Sequence, residues 1–245
     1  MTYFRGILLA VICLSTVAGA APPLSADDVA ALQLPDVRIT SAIHIAKGDD
    51  DAKAKVAHLK VEGVIGGSIK FETLLPDDWN GRFAMGGGGG LVGSVQNGIR
   101  NSVNDGFATA GTDTGHTGRS TDGSWAQDDM EALVNFGHVA IHRTAEVSKA
   151  LIRAYYGKGP EKSYFVGCSR GGGQAMMEAQ RYPEDFDGIV AGAPAFNWTG
   201  FAALGIFLSQ VQYPNPDNLT ETYLTQPVLD RVYDAVMKQV DGEDG

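Results

Sequence analysis

A serine with a glycine two residues to either side, Gly167-Cys168-Ser169-Arg170-Gly171, carries the strongest chemical signal in this 245-residue sequence. A serine hydroxyl is a poor nucleophile unless it is exposed, held in a strained backbone and set beside a base. The Gly-x-Ser-x-Gly spacing is that of a nucleophile elbow, a sharp turn from strand to helix with the serine at its tip. Glycine at both flanks lets neighbouring backbone pass where a Cβ would collide. In a chain with 32 glycines the bare pattern also fits an ordinary glycine-rich turn. Its surroundings favour the elbow: residues 163–166 are strand-like and residues 173–181 are helix-like.

Other residues invite chemistry of their own. Five consecutive glycines, 86–90, follow a short apolar stretch. Such backbone takes φ > 0 readily and turns N–H groups toward an anion or a developing oxyanion. A flexible linker is the alternative, but linkers usually carry serines, so the nest is favoured. Asp113 and His116 lie in the polar loop Thr112-Asp113-Thr114-Gly115-His116, as catalytic groups or, the favoured reading, as side chains that brace the loop. His138 and His142 stand four apart on a helical pattern. That spacing suits zinc, yet no H-E-x-x-H and no third ligand accompanies it, so they read as helix-surface histidines.

Presenting a serine in this way takes a sheet and flanking helices. Residues 37–45 alternate apolar and polar side chains, and 58–65 and 68–75 form a hairpin about Gly66-Gly67. Short strands are predicted at 82–85, 106–111 and 162–166, and a fully apolar one at 188–194, as in a buried parallel strand. Apolar residues recur at close to 3.6 spacing over 131–156, predicting one long helix, and a second helix over 172–182 ends at Pro183. Strands alternating with helices imply a largely parallel α/β sheet. Residues 21–35 read as an irregular arm. From Asn197 the sequence becomes aromatic-rich, with Trp198, Phe201, Phe207, Tyr213 and Tyr223 interrupted by Pro214 and Pro216. Residues 21–196 are therefore assigned to the α/β domain and 197–245 to the start of a cap over the C-terminal edge of its sheet.

Composition narrows the setting. The formal net charge is −10 with no basic run, which argues against nucleic acid or an anionic membrane surface as partner. Arg5, the apolar run 7–17 and Ala18-Gly19-Ala20 have the order of a signal peptide, residues 1–20, cleaved after Ala20. That run is too short to span a bilayer, and the expected location is secreted or periplasmic. Of the two cysteines, Cys13 leaves with the leader and Cys168 remains alone. In an oxidising compartment that means a buried thiol or a partner elsewhere.

Over residues 34–245 the sequence resembles the tannase and feruloyl esterase family of α/β-hydrolases. The matching segments include Leu34-Pro35-Asp36-Val37, Leu75-Pro76-x-x-Trp79-Asn80-Gly81-Arg82-Phe83 and the glycines at 86–90. They continue through Asp113-Thr114-Gly115-His116, Gly167-Cys168-Ser169-x-Gly171-Gly172 and Glu178-Ala179-Gln180-Arg181-Tyr182-Pro183-Glu184-Asp185-Phe186-Asp187-Gly188. The resemblance implies a Ser-His-Asp triad with Ser169 as nucleophile. It implies an oxyanion hole from the backbone N–H of Arg170 and from the loop glycines Gly87 and Gly88. It pairs Cys168 with a cysteine beside the catalytic histidine. The triad acid, the base and that cysteine belong to family segments beyond the cap, and none of the five histidines here matches the base. Caps in the family carry a structural Ca²⁺ loop whose first half Asp241 and Asp244 resemble; carboxylate oxygens suit that ion, and a solvated acidic tail is the alternative. Two departures stand out: both cysteines of the family's N-terminal disulfide are missing, and Arg170 replaces a frequent threonine.

The expected function is a secreted serine carboxylesterase that hydrolyses aromatic esters, feruloyl, galloyl or chlorogenate-like, through an acyl-enzyme, with this polypeptide inactive by itself. The alternative is a non-catalytic remnant that binds a ligand or calcium.

Overall fold

The structure, a computed structural model, describes residues 24–49 and 53–240. The leader at 1–20 and the carboxylates of Asp241 and Asp244 lie outside the described residues.

Seven strands form one sheet: β1 (Val37–Ile45), β2 (His58–Ile65), β3 (Ile69–Pro76), β4 (Arg82–Gly86), β5 (Ala108–Thr112), β6 (Lys162–Cys168) and β7 (Gly188–Gly192), in the order β1-β2-β3-β5-β4-β6-β7. The first three strands and the β3–β5 pair are antiparallel, whereas β5, β4, β6 and β7 are mutually parallel. β2 points with the parallel four, so only β1 and β3 run the other way. The β2–β3 hairpin closes on Gly66 and Gly67, both at positive φ, 62° and 92°, a backbone that favours glycine.

One face of the sheet is covered by α1 (Ala26–Ala30), α3 (Ala140–Tyr156) and α4 (Arg170–Arg181), packed side by side. Phe71, Phe83, Met85 and Phe165 of the strands are buried against Ala140, Ala145, Leu151 and Ile152 of α3. Each such large apolar side chain contributes roughly 1.5–3 kcal/mol. This core holds β4 and β6 rigidly where their C-terminal ends meet the loops that carry the chemistry.

Three elements differ from the sequence reading. The arm before β1 contains α1, started by Ser25, whose hydroxyl accepts from the Asp28 amide while Asp28 reaches back to the Ser25 amide. This reciprocal cap and the burial of Val29 make a helix where composition suggests a loop. The long helix over 131–156 is divided into α2 (Met130–Val134), a π-turn (Asn135–Val139) and α3. Gly137, with open space around it, lowers the cost of widening the helix, and π-turns cluster at functional sites. β7 is apolar but not buried: it is the edge strand among the described residues, and Val190 is 59% exposed.

After β7 come α5 (Trp198–Gln212), capped by the Asn197 side chain, and α6 (Gln226–Val240). Neither contains a buried residue. Phe201, Leu204, Phe207 and Leu208 are all more than half exposed.

Candidate active site

Ser169 sits between β6 and α4 with φ 59° and ψ −119°. A side chain at positive φ in this region costs about 1–3 kcal/mol and persists only where the surroundings enforce it. Here they do. The Ser169 amide donates to Gly192 O at 3.0 Å, and its carbonyl accepts from Gly173 N at 3.1 Å and Ala195 N at 2.9 Å. A Cβ on Gly167 would lie 2.2 Å from Gly171 O, on Gly172 2.2 Å from Gly192 O, and on Gly173 2.1 Å from Ala195 O. The helix start is thus pressed into the β7 exit loop, and Ser169 stays exposed at the tip. The orphan amides and the positive dipole end of the 12-residue α4 begin at Arg170. Val92 (φ 47°), Thr114 (φ 68°) and Ala193 (φ 38°) are further non-glycine residues at positive φ, two of them β-branched, for which such a backbone is an outlier.

The glycine loop lies against this elbow. A Cβ on Gly87 would meet Gly171 Cα at 2.7 Å and Gly167 Cα at 3.2 Å, and one on Gly86 would meet Gly98 N at 2.4 Å. Close backbone approach, rather than positive φ, is what these positions require; of the five, Gly90 alone has φ > 0. The structure brings Ser169, Arg170, Gly87 and Gly88 together, but the loop amides already have acceptors. Gly87 N donates to Val166 O at 2.9 Å, Gly88 N to Gln174 Oε1 at 3.1 Å and Gly89 N to Gln96 Oε1 at 2.8 Å. Gln174, on α4 and 2% exposed, is a site residue the sequence does not reveal. A glutamine on a glycine-rich helix carries no local sign that it will be buried.

Cys168 is an exposed free thiol, and its Sγ lies 3.6 Å from where a Gly192 Cβ would be. Asp113 braces its loop: Oδ1 accepts from Lys70 N at 3.0 Å and Gly115 N at 2.8 Å. Burial pushes its carboxyl up to about 6 despite these bonds. His116 donates from Nε2 to Leu91 O at 2.9 Å and stacks on Trp125 at 3.7 Å. Burial lowers its pKa. His138 and His142 are half-buried rather than purely on the surface: His138 Nδ1 hydrogen-bonds Tyr182 Oη at 2.7 Å and His142 Nδ1 donates to Asp185 Oδ2 at 2.6 Å. Among the described residues no group of three or more His, Cys, Asp or Glu is placed to hold a metal.

An open cleft of about 870 Å³ adjoins the elbow, walled by Leu91, Trp125, Phe136, Met177, Phe196 and Trp198. The π-turn supplies Phe136, which packs against Trp125 and Trp198. Arg170 also lines it, its Nη2 donating to the Phe136 carbonyl and its guanidinium 4.0 Å from the Phe136 ring.

A strained serine between a parallel strand and a helix, on a mixed sheet of this order, defines an α/β-hydrolase fold. Residues 54–245 match the family described as tannase and feruloyl esterase; the chain belongs to that family. It is 36% identical over 217 residues to "Probable feruloyl esterase B-2" of Neosartorya fischeri, covering 87% of this chain and 40% of that protein. It is 38% identical over 178 residues to "Probable feruloyl esterase B" of Aspergillus clavatus, covering 72% of this chain and 33% of the relative. The crystal structure of feruloyl esterase B from Aspergillus oryzae superposes with a TM-score of 0.77 at 30% identity over 87% of this chain and 45% of that one. The chain therefore spans less than half the length of these relatives.

Proposed function

We propose that the protein is a serine carboxylesterase of aromatic esters, feruloyl, galloyl or chlorogenate-like. The observation that carries this is Ser169, exposed at φ 59° on a backbone that glycine contacts force into shape. In the proposed reaction Ser169 Oγ attacks the ester carbonyl and loses its proton to a base. The alcohol leaves, and water then releases the aromatic acid from the acyl-enzyme. Negative charge on the carbonyl oxygen is received by the Arg170 amide at the head of α4 and by the glycine loop. Gly88 serves if its N–H exchanges Gln174 Oε1 for the oxyanion; one such donor is worth about 3–4 kcal/mol in comparable sites.

No histidine of this chain is assigned as the base. His44, His58, His116, His138 and His142 are each committed to another partner, so hydrolysis by this polypeptide alone is expected to be far below that of a protein of the relatives' length. This favours, for the polypeptide alone, the second reading of a non-catalytic remnant. A fluorophosphonate probe on a protein of the relatives' length that carries this sequence, with the labelled peptide identified by mass spectrometry, is expected to mark Ser169. Labelling elsewhere, or none alongside intact folding, would sink the proposal. Methyl ferulate and methyl gallate then rank the acyl groups.

Export with cleavage after Ala20 is proposed on the leader-like order of residues 5–20 and residues 197–245 as the start of a cap on the change of composition there, whereas pairing of Cys168 with a distant cysteine and calcium at Asp241 and Asp244 are proposed on the family resemblance. N-terminal sequencing, non-reducing peptide mapping, limited proteolysis near Asn197 and a Ca²⁺-dependent melting shift test them in turn.

A further inference from the structure

Arg170 is the one charged side chain among the residues that wall the cleft beside the elbow. It is only 3% exposed. No carboxylate of the described residues reaches it. Its guanidinium rests on the Phe136 carbonyl, on the Phe136 ring at 4.0 Å and on the Trp198 ring at 5.5 Å, while Nε is buried with no hydrogen-bond partner. A buried cation ordinarily meets a carboxylate or phosphate, because Coulomb attraction has to offset the loss of hydration. Two π faces and one carbonyl offset part of that loss, but none of them carries a full negative charge. Desolvation draws the Arg170 pKa down to about 10, so the side chain is still a cation at neutral pH. The remaining walls are apolar and aromatic, and the volume, about 870 Å³, is that of a small-molecule site. One planar, fork-shaped cation set in an aromatic wall matches a flat ring that bears a carboxylate. The rings bury apolar area and stack, and the guanidinium takes the two oxygens.

We propose that this cleft binds an aromatic carboxylate, with its ring among Trp125, Phe136 and Trp198 and its anionic group on the Arg170 guanidinium. The site requires no chemistry at Ser169 and so goes beyond the esterase reading.

The full chain is titrated with 2-naphthoate and, separately, with its uncharged analogue 2-naphthamide, following the emission of Trp125 and Trp198. The naphthoate is expected to bind at least about tenfold more tightly, the scale of one charge-assisted bidentate contact. Arg170→Met is expected to erase that difference while leaving naphthamide binding within about twofold, since the stem and the rings remain. Equal affinities in the unsubstituted chain, or a preference that survives Arg170→Met, overturn the proposal. If Arg170→Met does not fold, competition by benzoate against benzamide on the unsubstituted chain decides in its place, with equal competition overturning the site. Ser169→Ala is expected to keep the naphthoate preference. Failure of the anion preference with Ser169 still labelled sinks this site alone; failure of labelling with the preference intact sinks the esterase reading alone.

Discussion

At Gln174 a single side chain joins the two halves of the candidate oxyanion site. Its Oε1 takes the Gly88 amide at 3.1 Å, inside a contact where Gly87 and Gly171 backbones touch. Gln174→Leu keeps the volume roughly constant and leaves the Gly88 N–H buried without an acceptor, which costs about 1–3 kcal/mol. A lower urea midpoint of that size is expected. An unchanged midpoint would show that the bond adds nothing. Ser169 was legible as a chemical residue because glycine spacing and flanking patterns are local. Gln174 was not, because its partner lies 86 residues away.

Helix α4 is the element that binds the site to the core, and it does so through backbone contacts at one end and buried carboxyls at the other. Gly172→Ala places a Cβ 2.2 Å from the Gly192 carbonyl oxygen, which nothing but movement of the β7 exit loop relieves. A loss above about 3 kcal/mol, in the range of severe core substitutions, is expected in thermal or urea unfolding. Gly205→Ala in α5, where nothing lies within 4 Å, is the matched control and should stabilise by roughly 0.5–1 kcal/mol. Near the other end of α4, Glu178 is fully buried. Burial first, and then Asp185 beside it, push its carboxyl from 4.5 up to about 8. The folded state therefore holds a proton that the unfolded chain releases. This stability is fully present below about pH 4.5 and is lost as pH rises toward 8. Glu178→Gln should flatten that decline, so that the variant gains relative to the unsubstituted chain at pH 8.5 but not at pH 4.5. Parallel curves in urea titrations at the two pH values would rule it out. Asp113, raised to about 6, adds a smaller loss of the same sign at lower pH.

Among the described residues none after Phe186 is buried. Phe201, Leu204, Phe207 and Leu208 are 54–61% exposed on α5, and Val232 and Tyr233 of α6 are 54% and 64% exposed. Exposed apolar side chains in such number promote association or dye binding. Residues 21–245 expressed alone should bind an apolar fluorescent dye and gain mass with concentration in sedimentation, and Phe201→Ser with Phe207→Ser should reduce both. A monomer with no dye response at high concentration would contradict this. The electrostatic counterpart is the net charge of −10, against which Arg170 is a local exception held in an apolar wall.

The sequence by itself determined the strands, the hairpin, the serine at its turn and the family, since each rests on period, on glycine placement or on short motifs. It also shows a shift of composition at Asn197. Only the tertiary structure decided what the glycines at 86–90 are for. They let backbone approach backbone, and their amides are engaged by Val166, Gln174 and Gln96. The π-turn that delivers Phe136, the burial of Arg170 without a carboxylate partner, the exposure of β7 and the raised pKa values of Glu178 and Asp113 likewise depend on the tertiary fold. Each depends on which surfaces meet across the fold, and neither periodicity nor spacing records that. The elbow serine was visible in a local pattern; the loop that faces it and the cation beside it became visible only when distant segments were brought into contact.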